Sequence, residues 1–451
     1  MIVNVAGAGA GKTTKMADII MNYDIPDGKV VFCIAFTNAA ADNIKEKVAG
    51  KLGSIPSNIR VSTIHSFLYQ ELIEPYYYFL YGKQFGNLSV IELPLNNSYK
   101  NAKLLELERD NILHISKIPE KAKWVTYQKS RETKATRETR KRIMSLFSSY
   151  CAAIFVDEAQ DISKDICDIL SSLENAGIEI TLYGDPKQDV KGFGCFRSII
   201  DNSSDVTYIS ECYRCPQAHL DLSNTLAGDQ EKQVATKDNV VGSIEFAFES
   251  DIADIKGFMK ASDYGLCYIS QKHAQFHTHS VNERDEHFET LRHEVFRAME
   301  EKWKGVLAEI EINRGAYYVT EIMLENYQQS GDAGNQVAKW VEAGAFDRLG
   351  KQQYAQMVSA FPVKETETDD AVVVRSIEIV KGLEAERCLF ILTPDLAPYL
   401  FRTKISDNKT SHLLYVALTR SKKHMTILIS RKVESTFPKS FIFDYMKSFN
   451  A

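Results

Sequence analysis

The stretch that leaves this chain least freedom stands near its start. "VNVAGAGAGKTTKMADII", from Val3, joins a short apolar run to a helix-like one through Gly7-Ala8-Gly9-Ala10-Gly11. Ile2 to Ala6 reads as a buried strand and Lys12 to Met21 as a helix. Small residues between a strand and a helix N-terminus let backbone N–H groups close around phosphates. Ala8, Gly9, Ala10, Gly11, Lys12, Thr13 and Thr14 are therefore the candidate nucleotide-binding residues. Lys12 is expected to neutralise the β- and γ-phosphates, and the Thr13 hydroxyl to hold Mg²⁺. Ala6 stands where the GxxxxGK[ST] pattern has its first glycine. A Gly/Ala-rich turn carrying GKT by chance is the plain alternative, and the order strand, loop, helix counts against it.

A phosphate loop alone does not separate kinases, GTPases and motors. "AAIFVDEAQD" narrows the field, because the apolar run Ala152 to Val156 ends directly at Asp157 and Glu158. A carboxylate at a strand end can reach Mg²⁺ through water, and the adjacent one can polarise an attacking water. Paired acids after a strand also suit a helix N-terminus; together with the phosphate loop they point to hydrolysis of a nucleoside triphosphate.

A length of 451 residues exceeds one ordinary core, so two motor-sized domains with insertions are expected. At 44% hydrophobic and 25% charged residues the composition is that of a soluble globular protein. A net charge of −6 gives no global nucleic-acid signal, so any anion-binding surface must be local. Eight cysteines without a framework suit a reducing, cytoplasmic setting. No basic leader or long apolar run suggests export or a membrane partner.

Eight stretches in order resemble the UvrD/Rep/PcrA-like group of superfamily 1 DNA helicases. "AGAGAGKTT" (Ala6) is similar to motif I and "AFTNAAADNIKEKV" (Ala35) to motif Ia; "STIHSF" (Ser62) is similar to the motif after it. "VDEAQD" resembles motif II, "YGDPKQ" (Tyr183) motif III and "ECYRCP" (Glu211) motif IV. "SIEIVKGLEAERCLFIL" (Ser376) resembles motif V and "LLYVALTRSKKHMTIL" (Leu413) motif VI.

The resemblance implies an α/β fold: two RecA-like P-loop NTPase motor domains with parallel sheets, each interrupted by a mostly helical insertion subdomain. It implies ATP and Mg²⁺ as cofactors, and single-stranded DNA and single-strand/duplex junctions as partners. "FTNAAA" and "KQDVKGF" are closer to its 3′→5′ branch. By position, Gln188 would contact the γ-phosphate, Arg214 and Arg420 would project from the second domain into the cleft, and Glu384 would contact the sugar. Lys12, Asp157, Glu158, Gln188, Arg214 and Arg420 are thus the expected catalytic set, with Thr13 and Asp157 at the metal. Phe36 and Phe193 would stack on bases, a sequence-tolerant contact worth about 1–3 kcal/mol per base, and core packing is the commoner fate of a phenylalanine. Asn38, Thr63 and His65 are candidates for the phosphate backbone.

Several positions depart from the group. Thr14 replaces an arginine that stacks on adenine, and the stretch before motif I does not carry the adenine-reading glutamine. Tyr213 still offers an aromatic face, so loose base selectivity is expected. Lys191 and Gly194 replace the Tyr and Arg that flank the motif III aromatic, and Glu378 replaces a histidine.

The expected division is 1–75 and 145–209 for the first motor domain and 210–272 and 366–451 for the second. Insertions are expected at 76–144, basic, and at 273–365, a reduced helical subdomain. Lys117 to Arg142 carries ten Lys/Arg against three Glu, interleaved with Trp124 and Tyr127. A solvated helix face and a phosphate-tracking surface both fit that composition. From Glu283, Phe288, Leu291, Val295 and Phe296 recur at helical spacing, and Lys364 to Asp370 reads as an exposed linker. Cys212 and Cys215, and His273, His277, His279 and His287, lack a matched second ligand pair. Two further readings remain open: the motor subunit of a nuclease-containing repair or phage-defence complex, and an RNA helicase.

Overall fold

The computed structural model describes residues 1–94, 96–236, 241–279, 283–362 and 372–447, without the side chains of 277, 279 and 283–286. The expected linker at 364–370 lies outside the described residues. By packing the chain divides into two units: residues 1–83, 118–279 and 371–451, and residues 84–117 with 280–370.

The first unit contains two six-stranded sheets. One runs in spatial order Ile59–Thr63, Val30–Ala35, Cys151–Val156, Glu179–Gly184, Ile2–Ala6, Val206–Ile209, and every pairing is parallel. Parallel sheets are covered on both faces, which is why runs such as "VVFCIA" and "CAAIFV" are apolar almost throughout. The helix Lys12–Met21 buries Met16, Ala17 and Ile20 against one face, beside Ile44 and Val48 of the helix Asn38–Leu52. Full burial of Met16 and Ile20 contributes about 1.5–3 kcal/mol each. Phe32, Phe67 and Phe147 pack edge and face against one another elsewhere in the same lobe.

Strand order decides where the chemistry falls. Cys151–Val156, Glu179–Gly184 and Ile2–Ala6 are neighbours in space although far apart in sequence, with Val156 paired to Leu182 and Val5 to Gly184. Their carboxyl ends therefore emit the phosphate loop, "DEAQD" and "GDPKQ" side by side, the place where open α/β sheets bind ligands.

The second sheet is also parallel throughout, in the order Ser243–Phe248, Ser421–Ile429, Ala385–Leu392, Leu266–Ile269, Val372–Ser376, Phe276–His279. Ala385 pairs with Ser421, which sets Glu384 and Arg420, each one residue earlier, next to each other. Its core is built from Tyr268, Phe390, Leu392, Leu414, Val416 and Ile427 among others, all buried. The protein is thus α/β, with two six-stranded parallel sheets and two parallel two-stranded pairs among the described residues.

The other unit is mostly helical. Glu283–Trp303, Glu309–Ser330, Ala333–Glu342 and Lys351–Ser359 enclose Leu291, Val295, Ile312, Ala316, Met323 and Phe346. The helical spacing expected from Glu283 is seen here, with Leu291 and Val295 fully buried and Phe288 edge-on to Tyr317. Asn97–Arg109 joins this unit through a buried ion pair, Lys103 Nζ to Glu294 Oε1 at 2.8 Å. Among the described residues no helix is long and apolar enough to cross a membrane.

Candidate nucleotide site and nucleic-acid face

The phosphate loop turns on two glycines with left-handed backbone, Gly9 at φ 69° and Gly11 at φ 73°, a conformation that side chains resist. Lys12 is buried and its Nζ donates to the carbonyls of Ala6 and Gly7, both at 3.2 Å, so the ammonium lies inside the loop it would serve. The Thr13 hydroxyl donates to Asp157 Oδ2 at 2.7 Å. Thr14 accepts from Lys47 Nζ, which ties the start of its helix to the next one.

Burial raises the Asp157 carboxyl to about 6, and the charge of Glu158 adds to the rise against Thr13 and Lys12. For Glu158 burial also pushes upward, but Lys12, Lys381 and the Gln160 amide outweigh it and hold the group below its ordinary value. One carboxylate is thus kept ready to ionise fully beside a cation, while its neighbour stays charged. A hydroxyl and a carboxylate in contact are the hard oxygen donors a divalent cation takes, so Thr13 and Asp157 fit Mg²⁺. Glu158 sits at φ 55°, an uncommon conformation for a residue with a side chain and one that clusters at functional sites. Its carboxylate accepts from Gln160 Nε2, whose Oε1 accepts from the Asp185 amide at 3.0 Å. Gln188 completes this row by donating from Nε2 to Asp185 Oδ2 at 2.9 Å.

The second lobe closes directly on the loop. The Tyr213 amide donates to the Gly9 carbonyl at 2.9 Å. A Cβ added to Gly9 would lie 2.4 Å from Arg214 Cβ, so Arg214 abuts the loop and a side chain at Gly9 has no room. Tyr213 is 56% exposed, its ring lies 3.7 Å from where a Gly11 Cβ would be, and its hydroxyl donates to Glu211 Oε2 at 3.1 Å. Arg214 Nε stands 2.5 Å from Glu384 Oε2, and Lys422 Nζ 2.6 Å from Glu384 Oε1. Burial raises Glu384, but Lys422 and Arg214 win and its carboxyl falls below the ordinary value. Arg420 is buried, with its guanidinium on the Val416 and Leu383 carbonyls and the Thr419 hydroxyl. Burial first, and then the charge of Arg214, lower its pKa.

Two residues that the sequence reading did not single out tie the lobes at this site. Lys381 Nζ grips both oxygens of Asp161 at 2.8 Å. Gln233, buried, donates from Nε2 to the Ala8 carbonyl at 3.1 Å. Lys381 lies inside the motif V stretch and could have been weighed there; Gln233 carries no local signal.

Of the expected nucleic-acid residues, Phe36, half-buried, and Phe193, exposed, both lie beside Lys191 of the loop that follows Gln188. Asp189 builds that loop: its carboxylate accepts from the amides of Gly192, Phe193 and Gly194 at 2.8, 3.1 and 2.7 Å. That cap fixes a tight loop, with Gly192 and Gly194 at positive φ, and leaves Phe193 44% exposed. Lys191 Nζ lies 5.8 Å from the centroid of Phe193 and 5.9 Å from that of Phe36. Burial lowers the His65 pKa and the Lys191 charge lowers it further. Asn38 is exposed, behind the N-cap Thr37 of its helix. Thr63 is differently engaged: its oxygen caps the Ser66 amide at 3.3 Å and contacts Ser66 Oγ at 2.9 Å.

The basic stretch is partly structural. Arg140 is buried, donating to Glu132 Oε1 at 2.7 Å, to the Val125 and Trp124 carbonyls and to the Tyr81 hydroxyl. Lys123 pairs with Asp165 and Asp168. Arg131, Lys134, Arg137, Lys141 and Arg142 are exposed. Cys212 and Cys215 are buried, and among the described residues no group of three His, Cys, Asp or Glu is placed to hold a metal; the side chains of His277 and His279 lie outside that description.

Fold and site together define the N-terminal part as a P-loop NTPase domain. Residues 1–194 match the AAA_19 family, described as an AAA domain. The chain is also similar to solved structures of Arterivirus nonstructural protein 10, a helicase. The crystal structure of that helicase gives 11% identity over 95% of this chain and 59% of the other, at a TM-score of 0.36. Its complex with DNA gives 10% identity over 99% of this chain and 63% of the other, at a TM-score of 0.38. This chain therefore spans about three fifths of the length of those helicases. No curated protein matches it.

Proposed function

We propose that the protein is an ATP-driven translocase and helicase on single-stranded DNA, moving 3′→5′ and acting at single-strand/duplex junctions. The observation that supports this reading is that Tyr213 and Arg214 abut Gly9 of the phosphate loop while Arg214 holds Glu384; the reading takes its catalytic groups from both lobes. Lys12, Thr13, Asp157, Glu158 and Gln188 come from the first, and Arg214, Arg420 and Glu384 from the second. The reading assigns 1–75 and 145–209 to the first motor domain, 210–272 and 366–451 to the second, and 76–144 and 273–365 to insertions.

In this mechanism the amides of residues 8–13 and the Lys12 ammonium bind the triphosphate. Thr13 and Asp157 would hold Mg²⁺, which would supply charge neutralisation to the triphosphate. Glu158, kept ionised, orients the attacking water and accepts its proton. Arg214 exchanges Glu384 for the γ-phosphate, and Arg420 supports it; guanidinium groups there stabilise charge in the transition state. Loss of the terminal phosphate removes the anion that both lobes share, so the lobes separate and regrip the strand. Phe36 and Phe193 hold bases while Lys191 faces the phosphates.

ATP turnover measured with single-stranded DNA, single-stranded RNA, duplex and no nucleic acid, beside strand displacement, tests the reading. Stimulation by single-stranded DNA, abolished together with displacement by Lys12→Ala, is the expected result. Turnover indifferent to any polynucleotide sinks it. Stimulation without displacement favours a motor subunit that works with a nuclease or repair partner, a reading supported by Lys191 and Gly194 in the motif III loop. Stronger stimulation by RNA reassigns the polymer.

A further inference from the structure

The Ala8 peptide, in the middle of the phosphate loop, is held at both ends by the second lobe. Its N–H donates to the Tyr415 hydroxyl at 3.4 Å, that hydroxyl donates to Gln233 Oε1 at 3.0 Å, and Gln233 Nε2 donates to the Ala8 carbonyl at 3.1 Å. Three hydrogen bonds thus close a ring through residues more than 180 positions apart. Gln233 and Tyr415 are each 1% exposed, so water does not compete for these bonds.

The surroundings fix the ring's geometry. Asn224 clamps the Gln233 backbone from both sides, its Oδ1 accepting from the Gln233 amide and its Nδ2 donating to the Gln233 carbonyl, both at 2.8 Å. A Cβ on Gly7 would lie 2.2 Å from the Gln233 amide group, so the loop leaves room there for that side chain. Tyr415 stands in the helix Lys409–Leu418, five residues before Arg420, with its ring 5.2 Å from Lys187 Nζ. Lys187 is the residue before Gln188 and also reaches Glu231 Oε2 at 3.3 Å. One side chain therefore touches the loop, the Gln188 segment and the helix that leads to Arg420.

We propose that Tyr415 and Gln233 are positioning residues that register the terminal phosphate on the loop and pass its presence to the second lobe. This rests on the nucleotide-site reading above. Backbone N–H groups of such a loop are the donors that phosphates take. A terminal phosphate at Ala8 competes with the Tyr415 oxygen for the same N–H. The displaced phenol then donates its own O–H to the phosphate rather than to Gln233. A diphosphate, lacking that anion, leaves the ring closed. The exchange moves hydrogen bonds only; no covalent bond forms or breaks. Because burial, with the charge of Asp185, raises the phenol far above its ordinary range, Tyr415 stays a donor throughout.

The test uses Tyr415→Phe and Gln233→Met in the full chain, with calorimetric titration of ADP and of an ATP analogue with an imido β–γ bridge, both with MgCl₂. Each substitution removes hydrogen-bonding atoms and keeps the side-chain volume. Each is expected to change the ratio of the two affinities: Tyr415→Phe weakens the triphosphate analogue relative to ADP by up to about tenfold, the scale of one charge-assisted hydrogen bond, whereas Gln233→Met, which frees the phenol for the phosphate, favours the analogue. The double variant should lose no more than the worse single one, since the bonds form one ring. An unchanged ratio, or equal weakening of both nucleotides, overturns the inference. Nucleotide binding that survives Lys12→Ala, or no binding by the unaltered chain, overturns the site reading itself. Amide exchange on the unaltered protein supplies a check that needs no variant. Ala8 should be protected more by the analogue than by ADP, and equal protection counts against the ring.

Discussion

Glu158 is held at φ 55° while Lys12, Lys381 and Gln160 keep its carboxylate charged in a buried site. Strain of this kind costs about 1–3 kcal/mol and persists only where its surroundings impose it. Glu158→Gln keeps the shape and the backbone but removes the proton acceptor. It should lower single-turnover hydrolysis by about 10²–10⁴-fold while leaving affinity for the triphosphate analogue within a few-fold. Comparable loss of binding and turnover would give Glu158 a structural role instead. The acids and the lysine were legible in the sequence because each sits in a short local pattern, the acids directly after a strand and the lysine at the start of a helix. Arg140 shows the opposite case: its setting among basic residues suggested phosphate contact, and packing instead buries it against Glu132 and three backbone or hydroxyl oxygens. Nothing within a few residues of Arg140 distinguishes it from the exposed Arg142.

In the proposed function, the loop from Asp189 to Gly194 is the element on which DNA binding turns. Its aromatic was legible from position alone. The device that presents it, one carboxylate collecting three consecutive amides, needed the folded loop to be seen. Phe193→Ala should weaken single-stranded DNA by the equivalent of about 1–3 kcal/mol with little change in salt dependence. Lys191→Met should instead flatten the plot of log K against log salt by about one contact's worth, a slope change of about 0.7 for a single strand. Equal salt slopes for both variants would mean that Lys191 meets no phosphate. Thr63 illustrates why motif position alone does not settle a contact: its hydroxyl is already the N-cap of the Ile64–Phe67 turn, and removing such a cap costs about 0.5–2 kcal/mol of stability.

At the scale of the whole motor unit, His412 ties the two lobes. One ring nitrogen faces the Asp189 carbonyl at 3.0 Å and the other Asp407 Oδ1 at 2.6 Å. Burial lowers its pKa, but the Asp407 carboxylate and the Asp189 carbonyl outweigh burial and raise it. The folded state therefore favours the protonated ring. Its contribution is fully present below the ordinary value of about 6.5 and is lost as pH rises through the raised folded value. With Asp407 largely exposed, the contribution is about 0.5–1 kcal/mol. Thermal melts of the unaltered chain and His412→Gln should differ most near pH 5.5 and converge at alkaline pH. A gap that is constant across that range would place the contribution in packing rather than charge.

By itself the sequence determined the local machinery: a strand, a glycine turn, a helix, and acids at strand ends, all specified by residues within one short window. Parallel sheets were implied by the family resemblance of the ordered motifs, and the strands do pair in parallel. What the tertiary structure alone decided is which distant groups meet. Strand order sets three motifs side by side, Ala385 paired with Ser421 brings Glu384 to Arg420, and Gln233 and Tyr415 reach Ala8 across the cleft. Those contacts depend on crossovers and on packing between lobes, where the energy of a side chain is fixed by neighbours hundreds of residues away.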